Sequence, residues 1–111
     1  MERKVTWIPA TCPDCRGPLK EVRYDGMVEF ECLVGHRFSV ESLLATHSEA
    51  EEKALWAAIV ALEEAESMVH AASRLLPPDV VQRLEALAAH KRDQAVIIRR
   101  ITEDLEPFRT K

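Results

Sequence analysis

The sequence is poor in the residues that usually fill a large core. Aromatic residues make up only 5% of the 111 positions, and much of the 47% hydrophobic content is alanine. Because alanine buries little area, we expect a thin core that a metal or a second chain helps to stabilise. The hydrophobic fraction is nevertheless in the normal globular range, which predicts a folded protein rather than a disordered one.

Long apolar runs and an excess of basic residues are also missing. No stretch approaches the roughly 20 apolar residues that cross a bilayer, and the N-terminus lacks the apolar segment of a signal peptide. The net charge is −4, and no segment forms the basic stripe that binds a phosphate backbone. We therefore expect a cytoplasmic protein that contacts no membrane and disfavours nucleic acid as a partner.

The charge is unevenly distributed along the chain. Residues 1–40 are neutral, residues 41–76 hold two basic and seven acidic residues, and residues 77–111 hold seven basic and six acidic residues. This order suits an acidic helix packed against a slightly basic one. The basic doublets Lys91-Arg92 and Arg99-Arg100 are expected to pair with the acidic helix, and the alternative is a small nucleic-acid patch.

The three cysteines all lie in one short stretch. An odd number argues against a disulfide framework and favours metal ligation in a reducing compartment. Cys12 and Cys15 form one close pair, and after sixteen intervening residues Cys32 and His36 form a second. This spacing is typical of a structural zinc site in which each turn supplies two ligands.

The predicted ligand set is therefore Cys12, Cys15, Cys32 and His36. Four protein ligands leave no open position, so the Zn²⁺ is expected to be structural rather than catalytic. Three thiolates and a neutral imidazole leave the site at a net charge of about −1, which Arg16 and Arg37 are placed to offset. The alternatives are another metal such as iron in the same cage, or three buried free thiols beside a surface histidine.

A β-hairpin fills the space between the two ligand pairs. Asp25-Gly26 lies between two alternating runs and predicts a tight turn with positive φ at both central residues. Pairing around this turn sets Tyr24 opposite Met27, and it brings Cys32 onto the more apolar face. Residues 5–8 are expected to add an edge strand that Pro9 ends or borders, and Gly35 to close the second ligand turn or to be an ordinary loop glycine.

Two long helices are predicted after the ligand region. Ser39 is a candidate cap, and Ser48 with Glu51 forms a second capping box. There is therefore either a short helix at 40–46 with a new start at 49, or one continuous helix with a bend. The main helix is expected over about 49–76. Pro77-Pro78 ends it, and Asp79 with Gln82 opens the second helix over about 79–105.

The apolar residues of these helices recur at helical spacing. The first helix has Leu55, Ile59, Leu62, Val69 and Leu76, and the second has Leu84, Leu87, Ile98, Ile101 and Leu105. The pattern predicts an antiparallel helical hairpin. Because two helices cannot cover both stripes, we expect pairing with a second chain, most simply as a dimeric four-helix bundle.

The predicted fold class is thus α+β, with a small zinc-ribbon β-hairpin unit in residues 1–40 and a helical hairpin in residues 41–111. No set of residues fits a hydrolytic triad, a phosphate-binding loop or a carboxylate pair. We expect a non-enzymatic interaction or regulatory module with a protein partner. The alternatives are a nucleic-acid-binding zinc ribbon and an accessory subunit of an enzyme.

The motifs around the ligands suggest a relationship. The runs Cys12–Leu19 and Phe30–Ser39, followed by Glu41-Ser42-Leu43-Leu44 and Ala54-Leu55-Trp56-Ala57-Ala58, resemble the C-terminal extension of some chemotaxis-type protein-glutamate methylesterases. The resemblance covers roughly residues 10–70. It implies a stand-alone zinc ribbon with its helix, without the family's catalytic domain or esterase activity. Arg16 occupies the position where such zinc turns often carry glycine.

Overall fold

The computed structural model describes residues 2–108. A four-stranded antiparallel sheet is followed by two helices, which confirms the predicted α+β class with a helical hairpin. The strands are β1 (Lys4–Thr11), β2 (Pro18–Tyr24), β3 (Met27–Cys32) and β4 (Arg37–Phe38), and the helices are α1 (Val40–Ser73) and α2 (Pro78–Glu103). Two compact units result: a sheet unit of residues 2–50 with 107–108, and a helical unit of residues 51–106.

The central hairpin of the sheet has the predicted register. Tyr24 pairs with Met27, and Leu19 pairs with Cys32 at the far end. The turn residues Asp25 and Gly26 have φ values of 51° and 75°, which are the positive angles that a two-residue type I′ turn requires. The turn therefore fixes which residues share a face with Cys32.

The edge strand β1 is longer than predicted. It runs through Pro9 to Thr11, and its register with β2 shifts between Trp7 and Thr11. Proline is tolerated here because an edge strand has one side without ladder hydrogen bonds, and the shift marks a local irregularity of the kind that accommodates proline. The two-residue strand β4 was not predicted, since a segment this short has no periodicity of its own.

The sheet unit has a small core next to the ligand turns. Cys12, Leu19, Cys32 and Phe38 are buried together, and Ile8, Phe30 and Leu43 pack against them. Two of the four buried residues are thus candidate metal ligands. The apolar packing that surrounds the ligands is correspondingly limited.

Helix α1 begins with a reciprocal cap and has no break. Ser42 N donates to Ser39 Oγ at 3.1 Å, and Ser39 N donates to Ser42 Oγ at 3.0 Å. The predicted capping box at Ser48 is wrong, because Ser48 lies inside the helix and its Oγ accepts a hydrogen bond from Phe108 N at 2.9 Å. The continuous alternative is the one observed, and the helix ends at Ser73 rather than near Leu76.

Helix α2 starts with proline instead of the predicted side-chain cap. Pro77 is the N-cap, Pro78 takes a first-turn position, and no side chain caps the amide groups. Proline suits this position because its missing N–H would have had no partner within the helix. Asp79 contributes as an acidic residue of the first turn, near the positive end of the helix dipole.

The contact seam of the helical unit is rotated from the predicted one. Ala88, Ala95 and Thr102 are the buried residues of α2, and Ile59 of α1 is 1% exposed. The predicted seam residues Leu87 and Ile101 are instead 45% and 50% exposed. Sequence reasoning followed the large apolar residues, whereas small residues at a seven-residue spacing allow helices to approach closely.

Ion pairs join the two helices, as the charge distribution predicted. Arg99 Nη2 lies 2.8 Å from Glu63 Oε2, and Arg92 forms an ion pair with Glu66. The Arg99 guanidinium also lies 5.5 Å from the ring centre of Trp56. In the part of the chain from residue 2 to 108, no helix has the length and apolar character needed to cross a membrane.

Candidate metal centre

The four predicted ligands converge on one point. The donor atoms of Cys12, Cys15, Cys32 and His36 all lie within 4.8 Å of one another. Cys15 Sγ is 3.6 Å from Cys32 Sγ, and His36 Nδ1 is 3.3 Å from Cys32 Sγ and 3.6 Å from Cys12 Sγ. The imidazole therefore presents Nδ1, and not Nε2, to the thiols.

These separations match a tetrahedral metal. With Zn–S bonds of about 2.3 Å, two sulfur ligands of a tetrahedral zinc lie roughly 3.8 Å apart, and with a Zn–N bond of about 2.0 Å sulfur and nitrogen lie roughly 3.5 Å apart. Three of the six donor–donor distances, at 3.3–3.6 Å, fall close to these values, and all six are within 4.8 Å. The donor set and its spacing thus fit an ion held by four protein atoms.

The first ligand turn joins β1 to β2. Arg16 N donates to Cys12 O at 2.8 Å, and Cys12 N donates to Gly17 O at 2.7 Å. Arg16 has a φ of 67°, a left-handed conformation that costs a non-glycine residue about 1–2 kcal/mol. The turn thus keeps a conformation suited to glycine although arginine occupies the position, and this directs both thiols to the same side.

The second ligand turn joins β3 to β4. Gly35 N donates to Cys32 O at 3.2 Å, and Cys32 N donates to His36 O at 3.1 Å. Gly35 has a φ of 103°, a region that residues with a side chain rarely adopt. The expectation that Gly35 closes this turn is therefore confirmed, and the turn places His36 back over Cys32.

The site has an inner and an outer half. Cys12 and Cys32 are buried within the sheet unit, whereas Cys15 and His36 are exposed. Leu33 and Val34, at the tip of the second turn, are 67% and 74% exposed. A metal held here would lie at the edge of the unit, where a chelator in solution reaches the outer ligands.

Amide hydrogen bonds favour a thiolate at Cys32. Burial raises the pKa of this thiol, but hydrogen bonds from the backbone of His36, from Cys15 and from the backbone of Val34 outweigh it and lower the pKa to about 6. The His36 amide donates to Cys32 Sγ at 3.3 Å. Sequence reasoning missed this hydrogen bond. Its signal is that His36 follows Cys32 by four residues, a spacing at which the turn returns the His36 amide to the sulfur.

The pKa of the Cys15 thiol shifts in the opposite direction. The backbone of Gly17 lowers the pKa of this thiol, but desolvation and the neighbouring Cys32 and Cys12 thiols together raise it above its usual value. Three thiols this close cannot all ionise easily without a cation between them. The cluster is therefore compatible with a bound metal ion, which would relieve the repulsion among the thiolates.

Arg37 forms an ion pair with a carboxylate of the neighbouring strand. Its Nε lies 3.6 Å from Glu31 Oε2, and Arg3 Nη2 lies 3.1 Å from the same oxygen. Arg37 and Arg3 together thus neutralise a buried carboxylate. Across residues 2–108, Cys12, Cys15, Cys32 and His36 are the one group of three or more metal-binding side chains that come together.

Comparison of the chain with protein-family models, curated proteins and solved structures found no match. The resemblance to the methylesterase extension therefore stays a prediction.

Proposed function

We propose that this chain is a non-enzymatic, zinc-binding interaction module. Cys12, Cys15, Cys32 and His36 hold one Zn²⁺ that stabilises the sheet unit. The observation that supports this is the convergence of four donor atoms within 4.8 Å. When all four positions of a tetrahedral zinc are protein atoms, neither water nor substrate has a place on the metal, and the ion is structural.

The donor chemistry favours zinc over other ions. Three thiolates and one imidazole suit zinc, whereas magnesium, calcium and manganese prefer oxygen ligands. Iron–sulfur clusters are usually held by four cysteines. The S₃N set of this site therefore favours Zn²⁺, and the proposed structural role needs no redox chemistry.

Metal analysis tests this proposal directly. We expect the purified chain to hold one zinc per molecule and its Co²⁺ form to show the absorption of a tetrahedral S₃N site. Azide should leave that absorption unchanged, because the site has no exchangeable ligand. Retention of no metal would refute the zinc site, and a spectrum that azide shifts would point to an open, catalytic position.

Ion pairs at four arginines, two in each unit, favour a protein partner over nucleic acid. Arg3 and Arg37 share the carboxylate of Glu31, which neutralises part of their charge. Arg92 and Arg99 are likewise paired with glutamates of α1. Binding of labelled DNA or RNA at low salt should therefore be weak, and tight binding that falls steeply with salt would favour the nucleic-acid alternative instead.

We further propose that the module is related to the C-terminal extension of chemotaxis-type methylesterases. The support is the combination of the two ligand turns with the Leu55-Trp56-Ala57-Ala58 run of the following helix. A module of this kind carries no esterase chemistry of its own. Methanol release from methyl-glutamate peptides should stay at the background rate, and release that a Cys32→Ser variant abolishes would contradict the proposal.

The helical unit supplies the second half of the proposed function, which is self-association. A two-helix hairpin leaves part of each apolar stripe open to solvent, and exposed apolar surface of this kind commonly marks an interface.

A further inference from the structure

The three thiols of the metal centre differ in their access to solvent. Cys12 and Cys32 are 0% and 3% exposed, whereas Cys15 lies on the surface of the first ligand turn. A small oxidant dissolved in water therefore reaches Cys15 before it reaches the other two sulfurs. The susceptibility of a cysteine to oxidation follows its exposure and its thiolate character, and a metal ligand is held as the thiolate.

A second sulfur lies next to the exposed one. Cys15 Sγ is 3.6 Å from Cys32 Sγ, and a disulfide bond is about 2.05 Å long. The two sulfurs therefore need to approach each other by about 1.5 Å to form a bond. Cysteines that respond to oxidants are commonly exposed and have such a neighbour, which converts the first oxidation product, a sulfenic acid, into a disulfide.

Cys15 and Cys32 belong to different ligand turns. Cys15 lies between β1 and β2, and Cys32 is the last residue of β3. A bond between them would therefore connect the two turns, which is also what a bound Zn²⁺ does. A bond between Cys12 and Cys15 would instead stay within the first turn and close a loop with two intervening residues. Cross-links that close longer loops stabilise a fold more.

We propose that the metal centre is an oxidation site at which hydrogen peroxide joins Cys15 to Cys32 and releases the Zn²⁺. The oxidised sheet unit then holds no metal but keeps its strands, because the disulfide takes over the connection between the two ligand turns. The proposal rests on the proposed function, since only a chain that holds Zn²⁺ can release it, and it adds a second, metal-free state of the same unit.

The reaction consumes two thiolates and one peroxide molecule. The Cys15 thiolate attacks one oxygen of H₂O₂, the O–O bond breaks, and a sulfenic acid and a hydroxide ion form. The Cys32 thiolate then attacks the Cys15 sulfur and displaces a second hydroxide ion, which leaves the disulfide. The two sulfurs lose two electrons in total and the peroxide gains them. The metal keeps only Cys12 and His36 as ligands, and the Zn²⁺ leaves because its tetrahedral set is incomplete.

A dithiol reductant together with Zn²⁺ should reverse the change. Thiol–disulfide exchange requires access to a sulfur of the disulfide, and Cys15 lies on the surface. The backbone hydrogen bonds that shape the two turns, Cys12 N to Gly17 O at 2.7 Å and Cys32 N to His36 O at 3.1 Å, do not involve the sulfurs. The turns therefore keep the positions from which the four donors re-form the site.

Treatment of the zinc-loaded chain with hydrogen peroxide tests the proposal. Zinc release, followed with a metal-sensitive dye, should accompany the loss of two hydrogen atoms from the mass of the reduced chain. Peptide mapping should locate a single disulfide between Cys15 and Cys32. A disulfide that includes Cys12, a disulfide between two chains, or zinc release with only sulfinic acid at Cys15 would overturn the proposal.

The fold of the oxidised chain distinguishes an exchange of cross-links from oxidative damage. Amide NMR spectra of the oxidised, zinc-free chain should keep the dispersed strand signals, whereas the reduced chain stripped by a chelator should lose them. Dithiothreitol and one equivalent of zinc should restore the starting spectrum. Identical spectra of the two metal-free forms, or a failure to recover the starting spectrum, would overturn the proposal.

Substitutions at the two exposed ligands provide a matched test. Cys15→His replaces the exposed thiol with another zinc ligand, whereas His36→Cys keeps both Cys15 and Cys32, and each variant retains four ligands. Under peroxide, Cys15→His should release zinc roughly tenfold more slowly than the unmodified chain, because its remaining thiols are buried. His36→Cys should release zinc at least as fast as the unmodified chain, and equal rates in the two variants would contradict the role of Cys15.

The zinc content of each chain before oxidation separates the two proposals. A metal-free chain in which peroxide still joins Cys15 to Cys32 would refute the proposed function alone, and a zinc-loaded chain that resists peroxide would refute the oxidation site alone. If Cys15→His retains no zinc, the disulfide mapped in the unmodified chain decides.

Discussion

The sheet unit and the helical unit both have thin cores, but different interactions supplement them. In the sheet unit, two of the four residues of the core cluster, Cys12 and Cys32, are candidate ligands. In the helical unit, the seam consists of Ile59 and of small residues such as Ala88 and Ala95. Ion pairs between the two helices supplement this packing. The stability of the first unit should therefore follow the metal, whereas that of the second should follow side-chain packing.

The largest expected effect comes from removing a ligand. Cys32→Ser should abolish zinc retention and unfold the strands, because the binding energy of a structural zinc, on the order of 10 kcal/mol, is also folding energy. Amide NMR spectra should lose the dispersed strand signals while keeping helical ones. Leu33→Ser, in the same turn but exposed, is the matched control, and a Cys32→Ser variant with intact strands would show that the metal is dispensable.

A packing defect should act on the other unit. Ile59 is almost fully buried, and Ile59→Ala should destabilise the helices by about 3 kcal/mol through lost contacts and a cavity. Thermal unfolding followed by circular dichroism at fixed protein concentration measures the change. Val60→Ala, at an exposed neighbouring position, should change stability by less than about 0.5 kcal/mol. Zinc content should be unchanged in both, and loss of zinc in Ile59→Ala would mean that the two units do not depend on separate interactions.

A backbone change in the second ligand turn should have an intermediate effect. Gly35→Ala places a side chain at a φ of 103°, which costs about 1–2 kcal/mol. The added β-carbon would meet no atom within 4 Å, so the cost is purely conformational. Zinc affinity measured by competition with a chelator should fall roughly tenfold. An unchanged affinity would show that the turn relaxes without moving His36.

The smallest effect is a pH dependence of the helical unit. The hydrogen bond from Arg92 holds the pKa of Glu66 below its usual value. A depressed folded-state pKa contributes stability above the unfolded pKa of about 4.3 that is lost as the pH falls through the folded value. Glu66→Gln and Arg92→Gln should each remove this part of the acid sensitivity, and the double variant should remove no more. Additive losses would contradict a direct interaction.

The parts of the fold that sequence predicted are those with strong local signals. Asp25-Gly26 determines the turn and, through it, the pairing of every residue in the central hairpin. The spacing of the cysteines and His36 likewise brings the four donors together. Both predictions depend on a few residues. The turn residues allow few backbone conformations, and the cysteines and histidine at this spacing allow few functions other than metal binding.

The remaining features depend on tertiary contacts. Ser48 has the sequence of a cap, but its hydroxyl bonds the backbone of Phe108, 60 residues away. Ala88 and Ala95 form the seam although Leu87 and Ile101 are larger, because close approach of the helices favours small residues. The ion pair of Arg37 with Glu31 was not predicted for a similar reason, since the two residues become neighbours only once β3 and β4 pair.

The edge strand β1 has a consequence for behaviour in concentrated solution. Its outer side presents unpaired backbone groups beside the exposed residues Val5 and Trp7, and such an edge can recruit strands from other molecules into fibrils. Pro9 supplies no amide hydrogen, and the register shift beside it interrupts a regular ladder. Replacing Pro9 with a β-branched residue would be expected to turn a protected edge into a seed for aggregation.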